Sequence, residues 1–331
     1  MTDTDKTGDV DTQTSLFESH PSHNNRLTTG LVFPTLLTRL TNTVSSRCFD
    51  DPTREQTIVV PSQLLGAHIR ESLLKTLGGL FGVSILTPVG FARSITKTDL
   101  ARSGLVPLPR HASGAVIAEA IRQTLDETSM FCPTDSYDDP RYRTNFQDAV
   151  LRAIVDEKKQ GFSPRELGER GDPTGTQAAL AAIYEASERI VGQNGWIDAT
   201  DVMVEAAKLL KEGPTSPDAT LDFFGLCEVS EVESALVDSA VEGGWPVHVW
   251  LPWIDDAPVF APVKKWRAHL LDDLELSPTV ADKIPDRSAC EAVPRLWGQT
   301  GGGMEIDVPI ELLSAADPVE EWRQVARWIW E

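Results

Sequence analysis

No apolar run in the chain approaches the roughly 18 residues that a membrane-spanning helix needs. Nor does the N-terminus carry the basic and apolar regions of a secretory signal, so a cytoplasmic location with no membrane partner is expected. Cysteine is scarce. The four present (Cys48, Cys132, Cys227, Cys290) stand far apart, with no CxxC and no histidine at ligand spacing, which excludes a zinc site and a disulfide framework. Positive charge is also short. Thirty Lys and Arg against 50 Asp and Glu leave a net charge of −20, which argues against a generic DNA-binding surface. A cytosol at molar salt accounts for the same excess, because a dense carboxylate surface stays hydrated where the Debye length is about 3 Å. On that salt-adapted reading, the bulk charge says little about partners.

What is present is enough for about two domains: 331 residues, 41% of them hydrophobic. Residues 1–25 are rich in Thr, Asp, Ser and Asn and read as a disordered tail. From 26 to 110 strand and helix patterns alternate: RLTTG, then LVFPTLLTRLTNTV at helical spacing, the β-branched run TIVVPS, the helical stripe of QLLGAHIRESLLKTLGGL, and GVSILTPVGF as a third strand. That alternation predicts a parallel sheet with helices on its faces. Between 111 and 213 strands are absent from the pattern and four amphipathic helices follow one another, the last capped by Asp198. The α/β texture returns at 214–300, with TLDFFGL and PVHVWLP as strands around the helix of SEVESALVDSAVEGG, then an irregular Asp- and Pro-rich stretch. Residues 301–331 comprise a glycine linker, the strand IDVPIELLSA and a helix with Trp322 and Trp330 on an uncovered face, which reads as the start of a further, truncated domain.

Candidate chemistry is sparse. A phosphate loop belongs after the first strand, at Gly30, but a Walker A loop needs several glycines and a lysine. No Gly-Lys pair occurs, and no lysine lies between Lys6 and Lys75, so Gly30 reads first as a strand-to-helix turn. Asp222 lies where an acidic pair would hold magnesium; it is followed by Phe223 and reads as a strand-edge residue. His68 and His248 have no nucleophile motif beside them, and GxSxG is absent. Eight of the nine tryptophans cluster, at 245–297 and again at 322–330, and core packing outweighs base stacking for each.

Taken in order, TIVVPSQLLGAHIRESLL, GVSILTPVGFARSI, LDFFGLCEVSEVESALVDSA and IELLSAADPVEEWRQVARWI resemble segments of the AddB-type subunits of bacterial and archaeal helicase–nucleases, within the RecB/UvrD-like group with PD-(D/E)XK nuclease domains. The resemblance implies a RecA-like parallel sheet of the superfamily 1 helicase 1A type, interrupted by an all-helical 1B-like subdomain, with a second RecA-like domain beginning at the C-terminus. It implies single-stranded or end DNA and a UvrD- or AddA-like helicase subunit as partners in recombinational repair. Carried over residue by residue, it points to Thr87, Pro88 and Arg93 in a DNA-contacting loop and to Pro61 and Ser62 at the preceding strand end. The nuclease domain and its iron–sulfur cysteines are missing from this sequence, as are Walker A residues. The chain is therefore expected to hold no cofactor, with ATP, magnesium and an iron–sulfur cluster confined to fuller family members. An active, divergent P-loop ATPase and an acidic interaction scaffold unrelated to DNA are the alternatives.

Overall fold

A computed structural model of the chain describes residues 25–30, 35–109, 111–124, 144–170, 175–214, 216, 218–255 and 258–281. The chain divides into two compact units, 1–254 with 262–281 and 255–261 with 282–331. The second lies almost wholly outside the described residues, as do the expected N-terminal tail, the C-terminal strand and helix, and the tryptophans from Trp297 onward.

The first unit is an α/β body around six parallel strands in the order β3-β2-β6-β7-β1-β8. These are β1 (Arg26–Gly30), β2 (Gln56–Val59), β3 (Val83–Leu86), β6 (Thr220–Phe224), β7 (Val247–Pro252) and β8 (Ser277–Val280). The inner strands read as continuous apolar runs because both faces are covered: every residue of β6 and β7 is buried. Helices α1 (Leu37–Asp50) and α2 (Gln63–Leu77) cover one face, where Leu40, Val44, Ile69 and Leu73 pack on Ile58, Val60, Phe224 and Trp250. Each such burial contributes about 1.5–3 kcal/mol. Helices α3 (Pro88–Ser103), α8 (Ala199–Leu210) and α9 (Glu231–Glu242) form the second layer, with Phe91 set edge-on to Phe223 at 6.2 Å.

A helical block interrupts the sheet between α3 and α8. It comprises α4 (Ala112–Thr124), α5 (Thr144–Lys159), α6 (Pro164–Glu169) and α7 (Thr176–Gln193). It has its own core, in which Ile117, Ile121, Ile154, Leu167 and Tyr184 meet. Two short strands, β4 (Val106–Pro107) and β5 (Trp196–Ile197), pair in parallel at its base.

The pattern differs from the structure at several places. The third strand ends at Leu86 rather than running to Phe91, because Thr87 caps α3 and Pro88, which lacks an N–H, opens it. The strand-free stretch contains β5, too short to show a period of two. The irregular region after 254 supplies β8, whose four residues are all exposed at the sheet edge, where Pro278 is tolerated.

Candidate functional site

Ligands of open parallel sheets sit beyond the carboxyl ends of the strands, where connections depart in opposite directions. Here the connection from β2 runs outward to β3 and that from β6 runs the other way to β7. Beside that point, a cleft of about 660 Å³ opens between the β2–α2 and β3–α3 turns and helices α4, α5, α7 and α8. Pro61, Ser62, Thr87 and Arg93 all line it, although they come from two separate β–α turns. Pro88, adjacent to Thr87, is buried in the first turn of α3.

Two of these residues have local work as well. The Ser62 hydroxyl accepts from the Leu65 N–H at 3.3 Å and caps α2; the Thr87 hydroxyl accepts from the Gly90 N–H at 3.3 Å and caps α3. The partly positive ends of two helices therefore face one cleft. Arg93 is exposed there and Lys159 half-buried, and neither has an ion-pair partner among the described residues. In a chain with a large acidic excess, unpaired cations in a concave site favour an anion.

The cleft also contains a charge cluster that sequence reading missed. Lys158, on α5, is 9% exposed, and its Nζ donates to Glu188 of α7 at 2.6 Å and to Asp198 and Asp201 at the start of α8 at 2.5 and 2.8 Å. Burial would push the ammonium down, but Asp198 and Asp201 outweigh it and hold Lys158 above the ordinary lysine value. Burial, followed by repulsion from Asp198, pushes the Asp201 carboxyl up to about 6 even with Lys158 against it. The three acids lie close enough to share one cation, and the Lys158 ammonium is the cation they share. Residues 30 to 43 apart in sequence meet here. The only local trace is Asp198 and Asp201, three apart at a helix start.

Gly30 and Asp222 lie elsewhere. A Cβ on Gly30 would stand 2.9 Å from that of Ala281 and 3.4 Å from Leu36, so close packing requires glycine there. Residues 31–34, where a phosphate loop would continue, lie outside the described residues. Asp222 is no strand-edge residue; β6 has a neighbour on either side, and the carboxylate is fully buried. Its Oδ2 accepts from Arg47 at 2.6 Å and its Oδ1 from the Trp250 indole at 2.8 Å. Beside it His248 stacks on Trp250, with ring centroids 3.9 Å apart, and its Nε2 shares a 2.7 Å hydrogen bond with the Thr28 hydroxyl. Burial pushes His248 down to about 4, which keeps it neutral.

A second cavity, of about 560 Å³, lies beyond β6 and includes Cys227, Ser230 and Trp266. There His269 sits between Asp273 on Nδ1 at 2.7 Å and Asp238 on Nε2 at 2.8 Å. Two carboxylate acceptors call for two N–H donors. Although burial opposes it, these acids push the imidazole above its ordinary value.

No described helix is long and apolar enough to cross a membrane. The chain matches no protein-family model, and no curated protein sequence resembles it significantly, which leaves geometry and residue chemistry to carry function.

Proposed function

We propose that the chain is an inactive, helicase-like scaffold of a DNA end-processing complex, with a RecA-like body of AddB type that holds single-stranded DNA and a UvrD-like motor subunit during recombinational repair. The observation that carries this reading is convergence: Pro61, Ser62, Thr87 and Arg93, expected at a DNA-contacting edge, line one cleft at the carboxyl ends of β2 and β3. Helix N-termini and Arg93 there offer positive charge to phosphates, the usual first contact with nucleic acid. The inactive part of the reading draws on Asp222, which is fully buried with its two oxygens engaged by Arg47 and Trp250 rather than turned to a magnesium ion. The same engagement weighs against the ATPase alternative.

The test is binding of a fluorescent single strand at low salt and again at molar KCl, alongside ATP turnover. The expected outcome is salt-dependent binding, abolished or greatly weakened in Arg93→Glu, with no turnover. A strand that binds at neither salt, or binds Arg93→Glu equally well, sinks the proposal.

A further inference from the structure

The charges within the Lys158 cluster are unequal. Lys158 carries one positive charge, and Glu188, Asp198 and Asp201 bring three carboxylates to it within 2.8 Å. A phosphate entering the same cleft adds negative charge beside acids already competing for one ammonium, a repulsion that grows as water is expelled. Something must neutralise, and the three carboxylates are not equivalent. Asp198 is engaged on both oxygens, since Oδ1 caps α8 by accepting from the N–H groups of Thr200 and Asp201 while Oδ2 accepts from Lys158. Glu188 and Asp201 are similarly exposed, at 37% and 34%, but Glu188 reaches Lys158 from α7, whereas Asp201 shares the first turn of α8 with Asp198. The Asp201 carboxylate caps nothing: among the described residues it accepts from Lys158 alone, and Asp198 stands next to it.

We infer that single-strand binding in this cleft is coupled to uptake of one proton from solvent by the Asp201 carboxylate, so that pH regulates occupancy of the site. The inference rests on the function proposed above. The proton forms an O–H on Asp201, Lys158 keeps its own, and no other bond changes. The groups facing Asp201 are Lys158 from α5, Glu188 and Tyr184 from α7 and Asp198 on α8 itself; Arg93 from α3 and Lys159 from α5 line the adjoining cleft. Helix α9, also packed on α8, carries only acids, whose field has the same sign as the cluster's excess. The carboxyl already sits at about 6 before any phosphate arrives, within reach of neutral pH.

The experiment is fluorescence anisotropy of a short oligothymidylate, whose bases do not titrate between pH 5.5 and 8.5, at constant ionic strength with a chelator present. For the wild-type chain, affinity is expected to rise as pH falls from 8.5 to 6, by up to about tenfold per pH unit for one linked proton. Asp201→Asn, neutral and of the same shape, is expected to bind at pH 8 as the wild type does near pH 6, with a flat profile. Glu188→Gln, on α7, removes the same excess charge and is expected to move the wild-type rise to lower pH. It serves as the test variant should Asp201→Asn fail to fold. Binding that is strong but independent of pH, a slope that survives in Asp201→Asn, or a rise left unmoved in Glu188→Gln overturns the coupling and leaves the DNA reading standing. No binding at any pH overturns both.

Discussion

Arg47 with Asp222 and Lys158 with its three acids are both buried ion pairs, and they differ in their balance of charge and bonds. In the sheet, one carboxylate meets one guanidinium and one indole, each oxygen has its donor, and the neighbouring imidazole is neutral. In the cleft, three carboxylates divide one ammonium beside open space. A balanced, enclosed network has nothing left to offer a ligand and acts as structure. An unbalanced one at a surface cleft keeps a carboxyl near neutrality, and its charge state responds to whatever binds.

The largest effect that sharpens this contrast is expected from Asp222→Ala, which strands Arg47 and the Trp250 N–H in the interior. Removing one partner of a buried pair costs about 3–5 kcal/mol, to be read from denaturant midpoints. Asp201→Asn, by the same measurement, is expected to leave stability equal or higher at neutral pH, because it relieves repulsion. If the two variants destabilise the fold equally, the distinction between the networks is broken.

Acid should separate them next. His248 is depressed from 6.5 to about 4, so its contribution of about 3 kcal/mol is present above pH 6.5 and is lost as pH falls through 4. Asp201 is raised from 3.8 to about 6, so its contribution is present below 3.8 and is lost as pH rises through 6. Urea melts across pH 4 to 7 are expected to show a shallower acid loss in the wild-type chain than in Asp201→Asn, where Asp201 no longer offsets the loss at His248. Arg93→Ala, which touches neither network, is expected to weaken single-strand binding about tenfold with an unchanged melting temperature. The smallest effect is expected at the exposed Lys75–Glu71 pair, where double alanine replacement leaves the melting temperature unchanged in a thermal melt.

The parallel sheet was legible because its central strands, TLDFF and VHVWL, are covered on both faces and write apolar runs into the sequence. Edge strand β8 was not, because SPTV buries nothing and has no period to detect. Helix α6 was likewise missed, being a single PRELGE turn with only Leu167 buried, although Ser163 and Glu166 form a capping box that marks its start. Of the cleft, Pro61 and Ser62 are marked locally because they end an apolar run, whereas Thr87 and Arg93 come only through the family resemblance. Lys158 could not be found, since its partners lie 30 to 43 residues away and only the packing of α5, α7 and α8 brings them together. The pattern likewise left Asp222 looking like an edge residue because strand order is a tertiary fact.

The two-residue ladder of β4 and β5 has a topological consequence. Val106 lies opposite Trp196 and Pro107 opposite Ile197, tied by the bonds from Val106 N–H to the Gly195 carbonyl and from Leu108 N–H to that of Ile197. The polypeptide thus leaves the α/β body and rejoins it at a single doorway. A segment that begins and ends at one point can be excised and replaced by a tight link while its host strands keep their places, since shortening a loop with fixed ends changes closure entropy only slowly. The four-helix block is attached like a cartridge, and the doorway is where a graft from another protein would be sewn in.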